Sequence, residues 1–176
     1  MMMSLLITSL WWSLNVVPTD VQIEDTTIDR GKSYALIVAS NEGGPGQATL
    51  EFAERDADRI AEVLSTLGNV ASGRITMLKE PSTNDVFAAL DSLEQEVRAD
   101  ERRGIPTRVF FYYSGHAKAN ALNLGDDALP LSTLRQRLMG LSSTLKIVIL
   151  DACQRGARYR WSRIRILCET QICLQD

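Results

Sequence analysis

Histidine is nearly missing from this chain of 176 residues, in which His116 is the only one. Cysteine is scarce and unevenly placed: Cys153, Cys168 and Cys173 all fall in the last quarter. No Cys-x-x-Cys pair occurs, so a zinc site would have to be built from one imidazole and scattered thiols, and none is expected. With only Cys153 in it, the body of the chain is not a disulfide scaffold. A strong excess of one charge is lacking too. The net charge is −3, which implies no nucleic-acid partner. The balance shifts along the chain. Residues 1–154 carry 14 basic against 20 acidic side chains, whereas residues 155–176 carry 5 arginines against 2 acids. The tail therefore differs in kind from the body.

A clean membrane span is also missing. Met1–Val17 is mostly apolar but slightly short and studded with Ser and Asn, so no stable span is expected. It has the length of an export signal, without a preceding Lys or Arg or a clear Ala-x-Ala site. The segment reads either as such a signal, with an exported product, or as a helix packed on a cytoplasmic body or a misplaced start. Asp20–Lys32 is polar and acidic, as a linker would be. No Gly-x-Gly-x-x-Gly or Gly-Lys-Ser/Thr occurs, so the Gly43-Gly44-Pro45-Gly46 loop is a weak pointer to nucleotide binding.

What is present is an alternation of apolar runs and amphipathic stretches. Apolar residues are 45% of the chain and charged ones 23%, enough for a single domain with a real core. Ser33–Ser40 reads as a strand buried on both faces. Leu50, Ala53, Ala57, Ile60, Leu64 and Leu67 form one stripe and predict a helix over 49–67. Asp56 falls inside that stripe, between the directions of Ile60, Val63 and Leu67. A carboxylate there needs partners, or the favourable field of a helix N-terminus. A short strand is expected at Arg74–Leu78. Ser82 and Asp85 resemble a capping box for a helix running to about Arg103, stopped by Gly104-Ile-Pro106. Strands follow at Val109–Ser114 and Lys146–Leu150. Between them come a hairpin around Gly125–Ala128 and a helix capped by Ser132. The order predicts a parallel α/β sheet with helices on both faces.

Two apolar runs stop on reactive side chains. Arg108-Val-Phe-Phe-Tyr-Tyr-Ser-Gly-His116 ends at the lone imidazole, and Lys146-Ile-Val-Ile-Leu-Asp-Ala-Cys153 ends at the body's only thiol. On parallel strands of one sheet, both would emerge at the carboxyl edge, where open α/β sheets place their ligands. Alone, Cys153 fits a buried small hydrophobe and His116 a hydrogen-bonded loop residue. Together they fit a thiol nucleophile and the base that activates it. The amides of Gly115 and Cys153 could then hold a developing oxyanion, where one lost donor typically costs about 3–4 kcal/mol.

These blocks resemble the caspase/metacaspase family of cysteine peptidases (peptidase C14, clan CD). Tyr34–Ser40 resembles the first strand, Leu50-Glu-Phe-Ala-Glu-Arg-Asp56-Ala57 the opening of the first helix, Phe110–Ala117 the histidine block and Ile149–Gln154 the nucleophile block. The resemblance covers about residues 31–154. It implies a three-layer α/β/α sandwich with a mostly parallel sheet, and a Cys153–His116 dyad that needs no cofactor or metal. The substrate would be a protein or peptide. Asp151 stands where animal caspases have Gln, as in metacaspases and related bacterial proteins. By that likeness Asp56 and Asp151 line the S1 pocket and select Arg or Lys. The pattern breaks after Gln154, so the fold is expected to be incomplete at the C-terminus. Arg158–Arg165 is compatible with one strand, and a frameshifted tail would leave a sheet edge open. Two other readings remain. One is an inactive caspase-like module that binds partners. The other is a flavodoxin-like domain indifferent to Cys153.

Overall fold

The computed structural model describes residues 31–118, 120–154 and 165–170. The leader Met1–Val17, the linker as far as Arg30 and the tail other than 165–170 lie outside the described residues. The elements in order are β1 (Lys32–Ala39), α1 (Ala53–Thr66), β2 (Ile75–Lys79), α2 (Thr83–Glu101), β3 (Thr107–Lys118), β4 (Ala121–Leu124), β5 (Asp127–Pro130), α3 (Leu131–Gly140), β6 (Leu145–Gln154) and β7 (Arg165–Thr170).

One sheet of seven strands runs β2-β1-β3-β6-β7. Its first four strands are parallel, and β7 returns antiparallel beside β6. β4 pairs with β3 at Ala117 and Lys118, past Ser114 where the pairing with β1 stops, and β5 completes the hairpin. Side chains alternate across β1, and both faces are apolar. Tyr34, Leu36 and Val38 join Val86, Leu90 and Val97 of α2 and Leu134 and Leu138 of α3 in one core. Ala35, Ile37 and Ala39 join Ala57 of α1 and Tyr112 in the other. The result is the expected three-layer sandwich, with α2 and α3 on one face of the sheet and α1 on the other.

Several boundaries move for local reasons. α1 begins at Ala53, because Asn41 Oδ1 accepts from Ala53 N and the Asn41 carbonyl accepts from Leu50 N, holding Leu50 in the preceding loop. Val63 and Leu67 are 47% and 83% exposed, so that side of the apolar stripe faces outward. Asp56 shares this outward arc, which removes the burial cost the sequence suggested. Ser132 does not cap α3: Pro130 holds the N-cap position, with no side-chain cap. The Ser82–Asp85 capping box does form on α2, with both reciprocal hydrogen bonds present. β3 and β6 run longer than their apolar cores, because each finds a partner strand to its end. Arg158–Arg165, compatible with a strand by its sequence, lies outside the described residues except for Arg165, where β7 begins and runs to Thr170. This strand covers β6 from Leu145 to Leu150, the edge expected to be open, while Asp151–Gln154 runs on past it.

An ionic cluster ties β1 to the end of α2. Asp100, almost fully buried, accepts from Lys32 Nζ at 2.6 Å and from the Tyr34 hydroxyl at 2.5 Å, with Arg103 at 3.4 Å. The Lys32 hydrogen bond, then that of Tyr34, lowers the Asp100 pKa below the ordinary carboxylate value, and burial opposes them only in part. The same contact works in reverse on Tyr34. Burial, then Asp100, pushes its phenol up to about 12. A carboxyl whose folded pKa is depressed stabilises the fold above its unfolded pKa and loses that contribution as pH falls through the folded value. Asp100→Asn leaves a buried donor poorly paired, and the expected loss is about 1–3 kcal/mol near neutral pH. Urea denaturation of both proteins at about pH 7 and about pH 3 checks this. The gap between them narrows at the acid end. An equal gap at both pH values would mean that the ionised carboxylate is not the stabilising species.

Candidate active site at the carboxyl edge

β3 and β6 lie side by side and pair from Arg108 with Leu145 to Ala117 with Gln154. His116 is thereby the register partner of Cys153, and Ser114 of Asp151. Neighbouring strands stand about 5 Å apart, so the two candidate catalytic residues sit as close as two backbones allow. Sequence placed both at strand ends. The structure places them on adjacent strands, at one level and at the carboxyl edge.

His116 is 5% exposed, and its ring is held from behind. Nε2 lies 2.7 Å from the Ala48 carbonyl oxygen. A carbonyl can only accept, so Nε2 carries the hydrogen in the neutral ring and Nδ1 keeps the lone pair. The loop that supplies Ala48 comes close because Gly43 has no side chain. A Cβ there would lie 2.9 Å from His116 Cδ2. The Gly43–Gly46 loop, a weak pointer to nucleotide binding by its sequence, thus backs the imidazole. Gln47 Oε1 stitches it, accepting from Gly44 N at 2.8 Å and from Asn123 Nδ2 at 2.6 Å.

Tyr113 fastens the backbone of the same residue. Its hydroxyl lies 2.6 Å from both the His116 and the Asn123 carbonyl oxygens and shares its one proton between them. Burial, the largest cause, pushes the Tyr113 phenol well above its ordinary pKa, so it stays a donor. This arrangement explains Gly115. A Cβ there would strike the Tyr113 hydroxyl, with Cζ at 2.8 Å and the Ser40 carbonyl oxygen at 2.9 Å. The expected oxyanion donors meet a constraint of their own. Gly115 pairs with Ala152 and Cys153 with His116, so both residues lie inside the β3–β6 ladder.

The charges of Asp151 and Asp56 both act on Tyr112. The Tyr112 hydroxyl donates to Asp151 Oδ2 at a long 3.5 Å. Its pKa is pushed up to about 12, chiefly by burial, with the charges of Asp151 and then Asp56 acting in the same direction. Asp56 lies in the first turn of α1, its side chain 38% exposed and 3.6 Å from Arg59 Nη1. Asp151 thus touches the Tyr112 phenol, and Asp56 acts on it through its charge. Tyr112, Tyr113, Gln47 and the Ala48 carbonyl were not singled out in the sequence. The two tyrosines read there only as strand residues, and a backbone carbonyl leaves no sequence signal. Among the described residues no cluster of three His, Cys, Asp or Glu could hold a metal, and no helix is long and apolar enough to cross a membrane.

The chain matches the family model of the peptidase C14 caspase domain over residues 32–169. No curated protein matches it. The match reaches beyond Gln154 and takes in most of β7.

The packing of Gly115 against Tyr113 gives a double-mutant test. Gly115→Ala alone is expected to cost about 1–3 kcal/mol by overpacking. In a Tyr113→Phe background, where the hydroxyl is gone, part of that cost returns. Denaturant unfolding of the two single variants and the double variant measures the coupling. Strict additivity would show that Gly115 and Tyr113 do not press on one another.

Proposed function

Because the chain belongs to the caspase-domain family of cysteine peptidases, we propose that it hydrolyses peptide bonds after Arg or Lys, with Cys153 as nucleophile and His116 as base. The observation that carries this reading is the register pairing of His116 with Cys153, combined with the occupation of Nε2 by the Ala48 carbonyl. With Nε2–H engaged, Nδ1 takes the thiol proton. The thiolate then adds to the scissile carbonyl carbon, and the C=O electron pair moves onto oxygen. Collapse of that oxyanion expels the amine, which receives the proton from Nδ1 and leaves a thioester on Cys153. Water, deprotonated by the same nitrogen, hydrolyses the thioester and restores the thiol. The candidate oxyanion donors are the amides of Gly115 and Cys153, which a substrate would draw from strand pairing near the end of the ladder.

Specificity follows from the charge beside Tyr112. A P1 guanidinium meets Asp151 and Asp56 and can pair with each. It has to displace Arg59 from Asp56. That exposed ion pair is worth little, so the exchange is easy. An aspartate at P1 would face two like charges and be rejected.

Intact mass of the full chain, after exposure to an arginyl and separately an aspartyl peptide electrophile, tests the reading. A single adduct from the arginyl probe is expected, absent in Cys153→Ala. That control is needed because Cys168 and Cys173 are also thiols. Asp151→Asn should lower the labelling rate on the order of tenfold, the equivalent of about 1.4 kcal/mol. Reaction with the aspartyl probe alone would overturn the specificity. Labelling indifferent to Cys153→Ala would overturn the nucleophile.

A further inference from the structure

Glu80 sits immediately after β2 with φ of +47°, the left-handed region that a residue with a Cβ enters only at a cost. Its backbone N–H donates to the Ala39 carbonyl at 2.9 Å, which fixes it beside the end of β1. From there its carboxylate gathers the first turn of the loop that follows β1. Oε1 accepts from Asn41 N at 2.5 Å, and Oε2 accepts from the Ser40 hydroxyl at 2.8 Å and from Glu42 N at 3.4 Å. Backbone and side chain of one residue thus bracket the point where the chain leaves the sheet.

Asn41 passes this restraint on in two directions. Its Oδ1 accepts from Ala53 N at the start of α1, the helix that carries Asp56. Its carbonyl accepts from Leu50 N at 2.8 Å and closes the loop between them. Ala48, whose carbonyl takes the His116 Nε2 hydrogen, lies inside that closed loop. A carboxylate is the suitable group for the task. It offers two acceptor oxygens to three donors and has no hydrogen of its own to set against them. A glutamine would turn one end of the side chain into a donor facing donors.

We propose that Glu80 is a positioning residue for His116: through Asn41 it holds the Ala48 carbonyl where it locks the imidazole as the Nε2–H tautomer. The consequence for catalysis rests on the reading of His116 as the base, but the tautomer itself does not. The lone histidine makes the test direct, because only one imidazole contributes nitrogen signals.

The experiment is imidazole nitrogen NMR on the labelled full chain, with turnover of an arginyl peptide measured in parallel. The unmodified protein should show the Nε2–H tautomer with a protected ring hydrogen. In Glu80→Gln, both nitrogens should move toward the averaged shifts of a tautomer mixture and the hydrogen should exchange quickly. kcat should fall on the order of tenfold while KM holds, the sign of a misplaced base rather than a lost binding contact. Ser40→Ala removes one donor from the same carboxylate and should move the nitrogen signals the same way by less. It also serves if Glu80→Gln does not fold. An imidazole unchanged in both variants would overturn the proposal. A tautomer that responds to Glu80→Gln in a protein that cleaves nothing would uphold the positioning and overturn the peptidase reading instead.

Discussion

Strand β3 is paired with β1 on one side and β6 on the other along most of its length, and everything at the site depends on that double register. A slip of one residue would carry Tyr112, Ser114 and His116 through the sheet to the α2 face. Such a slip is opposed from both faces at once. Phe111 and Tyr113 belong to one core and Tyr112 to the other, so no polar face is available to receive the wrong set. His116 gets its position from a strand rather than from a loop, and strand positions are held more closely.

The loop after β1 has the opposite character. It contains no regular structure, yet it presents a carbonyl to the imidazole and a side-chain acceptor to the first N–H of α1. Its order comes from side chains that lie far away in sequence: Glu80 beyond β2 and Asn123 in the hairpin. The site thus combines a rigid floor set by strand pairing with a wall stitched from three separate stretches of chain. The hairpin β4–β5 serves the wall as well, because Tyr113 binds its Asn123 carbonyl and the His116 carbonyl with one hydroxyl.

This division marks what could be read from the sequence. Apolar runs that stop on His116 and Cys153 announce buried parallel strands and a shared edge, since periodicity and strand polarity are local properties. The family likeness is legible for the same reason, in contiguous blocks. The capping box at Ser82 is a four-residue signal and forms as expected. The wall was not legible. Nothing local tells that Glu80 adopts a left-handed conformation, that Gln47 reaches Asn123, or that residues 50–52 stay out of the helix whose stripe they continue. The exposure of Asp56 was not legible either, because a stripe shows which residues share a face but not how much of that face the sheet covers.

The buried carboxylate of Asp100 lies at the other end of the sheet. It grips Lys32 and Tyr34 where β1 begins, whereas His116 and Cys153 stand at the edge where β1 ends. At about 3.3 Å per residue the eight residues of β1 separate the two by roughly 25 Å. Effects of substitutions that far apart, with no shared partner, simply add. The molecule therefore has one end that can drift in sequence, trading robustness for solubility or temperature range, without disturbing the arrangement of residues at the other.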